Sequence, residues 1–218
     1  MSEASRLVSK HRVEALSDGI YAVAMTLLVL ELRMPEEVRQ AGDAEFAQAL
    51  AALAPRFIAW LLSFFILAVF WMGHQRAFHF VRHVDPQLLR INVVNLLFVS
   101  LMPFSSALVG EHTRHFLSQA FYAANMAALA AATLWQLAHL VAHPELCEPP
   151  LPRAVAAGAR MRCWSLIALA ALACALGWWV PRYASAVFVL MFLLARIARR
   201  VEARAAQKDA LLCDRPFP

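Results

Sequence analysis

Six stretches of this chain are apolar for long enough to approach the width of a membrane, and nothing else constrains its fold as strongly. They run over about 13–32, 55–72, 87–110, 116–141, 162–180 and 183–197. A helix crossing the hydrocarbon core needs roughly 17–25 predominantly apolar residues. Backbone groups in lipid must be satisfied within their own segment, so each stretch is expected as a helix, and the alternating pattern of a membrane barrel is absent. The expected fold is all-α and polytopic, with six transmembrane helices. Residues 1–210 form one domain and 211–218 a short tail, with no internal repeat. The polar start, Met1 to Lys10, lacks the apolar core of a cleaved leader, so the first stretch is expected to stay in the mature protein.

Composition narrows the function. Apolar residues make up 61% and charged residues 16%, well short of the roughly 25% charge that clothes a soluble protein. The net charge of +5 comes in short clusters between the apolar runs, which argues for membrane topology and against a nucleic-acid partner. Arg33, Arg39, Arg56, Arg114 and Arg182 fall on one side of the expected topology, and the other basic residues fall on the side of the N-terminus. The positive-inside rule then places both termini in the cytoplasm, beside anionic lipid.

No enzyme chemistry is readable: there is no nucleophile elbow, no paired intramembrane carboxylates and no phosphate-cradling glycine loop. Metal is not expected either. His79 and His83 stand four apart without a third ligand, and Cys147, Cys163, Cys174 and Cys213 lack metal-site spacing. No cofactor is expected.

The first apolar run carries unusual polar residues. At 100° per residue, Gly19, Thr26, Leu27 and Leu30 all fall within about 60° of Val23, forming one stripe. That stripe is either a helix-packing seam, with Thr26 bonding back to its own backbone, or the lining of a narrow apolar pore with Thr26 offering hydroxyl oxygens. Asp18 lies about 140° away and is expected to face another helix. A network near the inner leaflet is expected among Arg12, Ser17, Asp18, His74, Asn92 and Asn95, the two asparagines sharing one face of the third span. It serves as glue between helices, as part of a gate, or both. Glu31 stands at the outer end, either as a cation-concentrating mouth or as an interface residue beside Arg33.

The run from Arg12 through Ser17-Asp18-Gly19 and Thr26-Leu27-Leu28 to Pro35 resembles the signature of the transmembrane protein 175 family. So do Phe70-Trp71-x-x-His74, Asp85-x-x-Leu88-Leu89, Asn92-x-x-Asn95-Leu96 and Leu101-x-Pro103-Phe104, in the same order. The last three spans match only in length and hydrophobicity. The resemblance implies a potassium-permeable cation channel without a reentrant pore loop, its pore lined by the first helix at Val23, Thr26 and Leu30. A single six-span repeat implies a homotetramer, and the composition with that single repeat suggests a bacterial inner (plasma) membrane. Potassium and other monovalent cations are the implied permeants. Leu16 stands where the family usually has Phe, and Val23 where Ile or Leu is usual. A proton-coupled secondary transporter acting through Asp18 or His74, or a non-conducting scaffold, are the competing expectations.

Overall fold

A computed structural model describes residues 9–34, 36, 42–179, 185–190 and 200. Among these the chain is helical, apart from one isolated bridge between Val81 and Cys147. Five helices are long and apolar enough to cross a membrane: Lys10–Glu31, Ala54–Phe80, Pro86–Glu111, Phe116–Ala142 and Arg153–Trp179. Most of the sixth expected span, 183–197, and the tail at 211–218 lie outside the described residues.

Helix α1 (Lys10–Leu27) tightens into a 3-10 turn at Leu28–Glu31. Ahead of the second span stands a separate short helix, α2 (Asp43–Ala52), with no buried residue. Helix α3 (Ala54–Phe80) starts with Pro55 in its first turn, where the missing N–H costs nothing. It runs eight residues past the expected end of the second span at Met72, continuing through Gly73, with no proline to stop it before Phe80. His74, Arg76 and His79 therefore sit on a helix, not in a connection. Hydropathy marks where lipid ends, and the helix continues beyond it.

Helix α4 (Pro86–Ser100) opens on an Asp-Pro pair. Asp85 Oδ1 accepts the Leu88 N–H at 2.8 Å, satisfying one of the orphan donors of the first turn. The third span then breaks at Leu101 and resumes as α5 (Met102–Glu111), with Pro103 in its first turn. Gly110 lets α5 lie against α3: a Cβ there would stand 3.1 Å from Arg56 Cα. The Arg56–Glu111 ion pair at 3.3 Å closes the same contact.

Helix α6 (Phe116–Ala142) follows the expected fourth span closely. Helix α7 (Arg153–Trp179) begins nine residues before the expected start of the fifth span, since the prolines end at Pro152 and no breaker follows. Its buried residues include Ala156, Ala159, Cys163, Leu166, Ala170, Ala173 and Gly177, in steps of three and four that make a seam, with Gly158 and Leu169 buried beside it. Small residues on such a seam let two backbones approach, and in lipid van der Waals packing must supply what the hydrophobic effect cannot. Helix α7 accordingly packs most extensively on α6.

The chain between α3 and α4 is pinned to the α6–α7 connection. Arg82 N–H donates to Leu146 O at 2.7 Å, Glu148 N–H donates to Phe80 O at 2.8 Å, and Arg82 pairs with Glu148. His139 of α6 reaches Asp85 at 3.1 Å, tying the start of the third span to the end of the fourth. Helix α1 lies against α4, α3 and α5 on one side only.

Candidate functional site

Helix α1 has two faces, and its sequence assigns residues to them at helical spacing. Val13, Ser17, Tyr21, Ala24 and Leu28 are buried against the other helices. Gly19, Val23, Thr26, Leu27 and Leu30 are exposed, Val23 to 56% and Leu30 to 53%. Of the five spans α1 is the least covered, with 28% of its apolar window buried against 33–50% in the others. Among the described residues, no element covers the Gly19–Val23–Thr26–Leu30 stripe.

On that stripe the Thr26 hydroxyl donates back into its own helix, to Val23 O at 2.8 Å with Ala22 O at 3.1 Å. A hydroxyl has one proton and two lone pairs. With the proton engaged by the backbone, what Thr26 presents outward is acceptor character, the half of the group that suits a cation. Glu31 is half-buried at the end of the 3-10 turn. Arg33 donates its Nε–H to Leu30 O at 3.0 Å, a cap on the last turn, and not to Glu31.

The buried face holds two chains of hydrogen bonds. In the inner one, Ser17 Oγ donates to Val13 O at 2.9 Å and accepts from Asn92 Nδ2 at 3.0 Å. Asn92 Oδ1 in turn accepts from His74 Nε2 at 2.9 Å and from Gln136 Nε2 at 3.2 Å. Because both partners must donate to that oxygen, the His74 proton sits on Nε2 when the ring is neutral. The ring stacks on Phe78 at 4.2 Å, and its Nδ1 is buried without a hydrogen-bond partner. A cavity of about 30 Å³ between α3, α6 and α7 is lined by His74, Thr133, Gln136 and Arg162 among apolar walls.

The outer chain lies one turn further along. Tyr21 OH donates to Asn95 Oδ1 at 3.4 Å, and Asn95 Nδ2 donates to Thr133 Oγ1 at 2.9 Å. Thr133 Oγ1 donates on to Leu129 O at 2.9 Å.

The structure thus joins Ser17, His74 and Asn92 in one cluster and places Asn95 in a second, adjacent one. Asp18 belongs to neither. Its Oδ1 accepts from Trp71 Nε1 at 2.9 Å and from Gln75 Nε2, both on the neighbouring α3. Arg12 is exposed and makes no ion pair or side-chain hydrogen bond among the described residues.

Tyr21, Trp71, Gln75, Thr133 and Gln136 were not expected in the site. For the last two a signal existed. Thr133 and Gln136 repeat, within an apolar run, the three-residue spacing of Asn92 and Asn95. Nothing comparable distinguished Tyr21, whose ring reads as ordinary apolar packing.

The family model described as endosomal/lysosomal potassium channel TMEM175 matches residues 12–103, which span α1, α3, α4 and the start of α5. A potassium channel of Streptomyces collinus is 32% identical over 157 residues, covering 69% of this chain and 74% of that protein. The chain belongs to the TMEM175 family. Another family member, a potassium channel of Chamaesiphon minutus, is 37% identical over 117 residues, covering 53% of this chain and 56% of that one. The human endosomal/lysosomal proton channel TMEM175 is 35% identical over 103 residues, 45% of this chain and 20% of its own length.

The crystal structure of a lysosomal potassium-selective channel TMEM175 homologue from Chamaesiphon minutus superposes with a TM-score of 0.73 at 28% identity, covering 87% of this chain and 97% of that one. This chain therefore has the TMEM175 fold and is a multi-pass membrane protein. Its relatives in the family are ion channels, not enzymes.

Proposed function

We propose that this protein is a homotetrameric, potassium-permeable cation channel whose pore is lined by the exposed stripe of α1. The observation that carries the reading is that α1 buries only one face, while the uncovered face has a threonine acceptor within an otherwise apolar row. Lipid alone would be served as well by leucine at position 26. Four copies around an axis would give a ring of Val23 as the narrow apolar constriction, a ring of Thr26 oxygens one turn outward, and Leu27 and Leu30 beyond. Glu31 would form an anionic outer mouth that concentrates cations.

Conduction is passive and needs no cofactor. Partly dehydrated potassium, or another monovalent cation, crosses the constriction and is compensated by the Thr26 oxygens. No reentrant loop is used. Both termini face the cytoplasm of a bacterium across its inner membrane, and residues 1–210 act as one channel domain. The latch on the other face, Ser17, Asp18, His74, Asn92 and Asn95, holds α1 at the correct rotation. With Arg12 exposed, the partners that Asp18 takes on α3, Trp71 and Gln75, are uncharged.

Potassium flux from proteoliposomes, with sodium as competitor, tests the reading. Wild type is expected to pass potassium in preference to sodium. Thr26→Ala is expected still to conduct but with the preference reduced by about threefold or more, since the acceptor ring is gone and the apolar constriction remains. Absence of any flux in the wild type would favour a scaffold, and flux that requires a proton gradient would favour a coupled transporter.

A further inference from the structure

We propose that Thr133 and Gln136, on the fourth span, are positioning residues for the pore-lining helix. They lie beyond residues 12–103 that match the family model. The proposal rests on the pore reading of α1 given above and extends it to a helix that the sequence resemblance leaves without a role.

The geometry is that of a ladder with two rungs. The inner rung runs from Ser17 through Asn92 to Gln136, and the outer rung from Tyr21 through Asn95 to Thr133. Residue numbers rise from inner to outer rung on α1 and α4 and fall on α6. That is the register required if α6 crosses the membrane antiparallel to the other two. Spacings of three and four residues put successive rungs one helical turn apart on each helix, so both can form together. Four independent polar side chains on α4 and α6 would not meet α1 in register by hydrophobic sorting alone.

The rungs act on rotation. At 100° per residue Tyr21 lies about 160° around the helix from Val23. Fixing the Tyr21 side therefore fixes where the Val23 side points. In lipid a freed Asn95 amide finds no water, so removing its acceptor makes it seek another partner and lets α1 turn or shift with it. Packing alone resists rotation weakly here, since α1 is the least covered of the five spans.

A residue that served only to hold the fold would change the amount of intact protein and leave each channel's selectivity alone. A separate buried polar cluster, away from both rungs, provides that comparison. Ser63 Oγ lies 2.9 Å from both Ser106 Oγ and Tyr122 OH, and none of the three is on α1.

The experiment measures the potassium-over-sodium permeability ratio in proteoliposomes alongside thermal unfolding of the same samples, for Thr133→Val, Thr133→Ser, Gln136→Leu and Ser106→Ala. Thr133→Val and Gln136→Leu are expected to lower the ratio by about threefold or more, Thr133→Ser to restore it, and Ser106→Ala to lower only the unfolding temperature. An unchanged ratio in both Thr133→Val and Gln136→Leu overturns the assignment, as does an equal fall in Ser106→Ala. Should Thr133→Val fail to fold, Gln136→Leu decides alone, because Asn92 Oδ1 keeps its bond from His74. Val23→Phe separates the two levels. If it blocks flux while the ladder variants are silent, the ladder falls and the pore stands; if it does not block, the pore reading itself falls.

Discussion

Val23→Phe is expected to reduce potassium flux by about tenfold or more without lowering thermal stability. Val23 is 56% exposed among the described residues, so a phenyl ring there strains none of the described core. Four such rings around an axis would meet one another and close the narrowest part of the path. Val23→Ala should act in the other direction, raising total flux and admitting sodium more readily, because in the proposed tetramer removing two methyl groups at each of four positions would widen the constriction. The pair is informative because the expected signs are opposite while both substitutions leave the buried face untouched. Flux in liposomes and unfolding temperature in detergent check both halves. On a lipid-facing helix both variants would conduct like the wild type.

The second large effect is expected at Asn92, which is fully buried and joins four helices through one amide. Asn92→Leu keeps the approximate volume and removes every one of those bonds. His74 Nε2–H and Gln136 Nε2–H would then have no acceptor and Ser17 would lose a donor, in a setting without water to compensate. Each buried polar group left unsatisfied costs about 1–3 kcal/mol, although measured side-chain hydrogen bonds in membrane proteins average nearer 0.6 kcal/mol. A total loss of about 2–4 kcal/mol is expected, read as a lower unfolding temperature and a smaller fraction of intact oligomer. Asp18→Asn should cost less, since Asp18 is half-exposed and its partners Trp71 and Gln75 both donate to an oxygen that asparagine retains.

The spans were readable because hydropathy and length report directly on the solvent that a helix crosses. Their ends were less so. Helix α3 continues to Phe80 and α7 starts at Arg153 because a helix stops at a breaker or a cap, not where lipid gives way to water. Periodicity places Val23, Thr26 and Leu30 on one stripe and leaves open whether it is a packing seam or a pore lining; the structure leaves that stripe exposed among the described residues. The latch was half readable. Ser17, Asn92 and His74 are polar residues in apolar runs and so advertise that they need partners. Which partner each takes depends on helix rotation and register, which is why Asp18 turned out to bond Trp71 and Gln75 and not His74 or Arg12. Arg12 is expected in the same network, but its place near the start of α1 leaves it exposed. Thr133 and Gln136 carried the same signal as the asparagines and needed only the antiparallel register of α6 to be matched with them.

The central claim is that four α1 stripes face a common axis, and a ring of thiols tests it most directly. Thr26→Cys in a background with Cys147, Cys163, Cys174 and Cys213 replaced by alanine would place four sulfurs around the proposed path, within reach of one soft divalent cation. Micromolar cadmium should then stop potassium flux through reconstituted Thr26→Cys, a chelator should restore it, and the cysteine-free parent should be indifferent. Undiminished flux through a conducting Thr26→Cys channel under cadmium would place this face of α1 away from the conduction path and contradict the account.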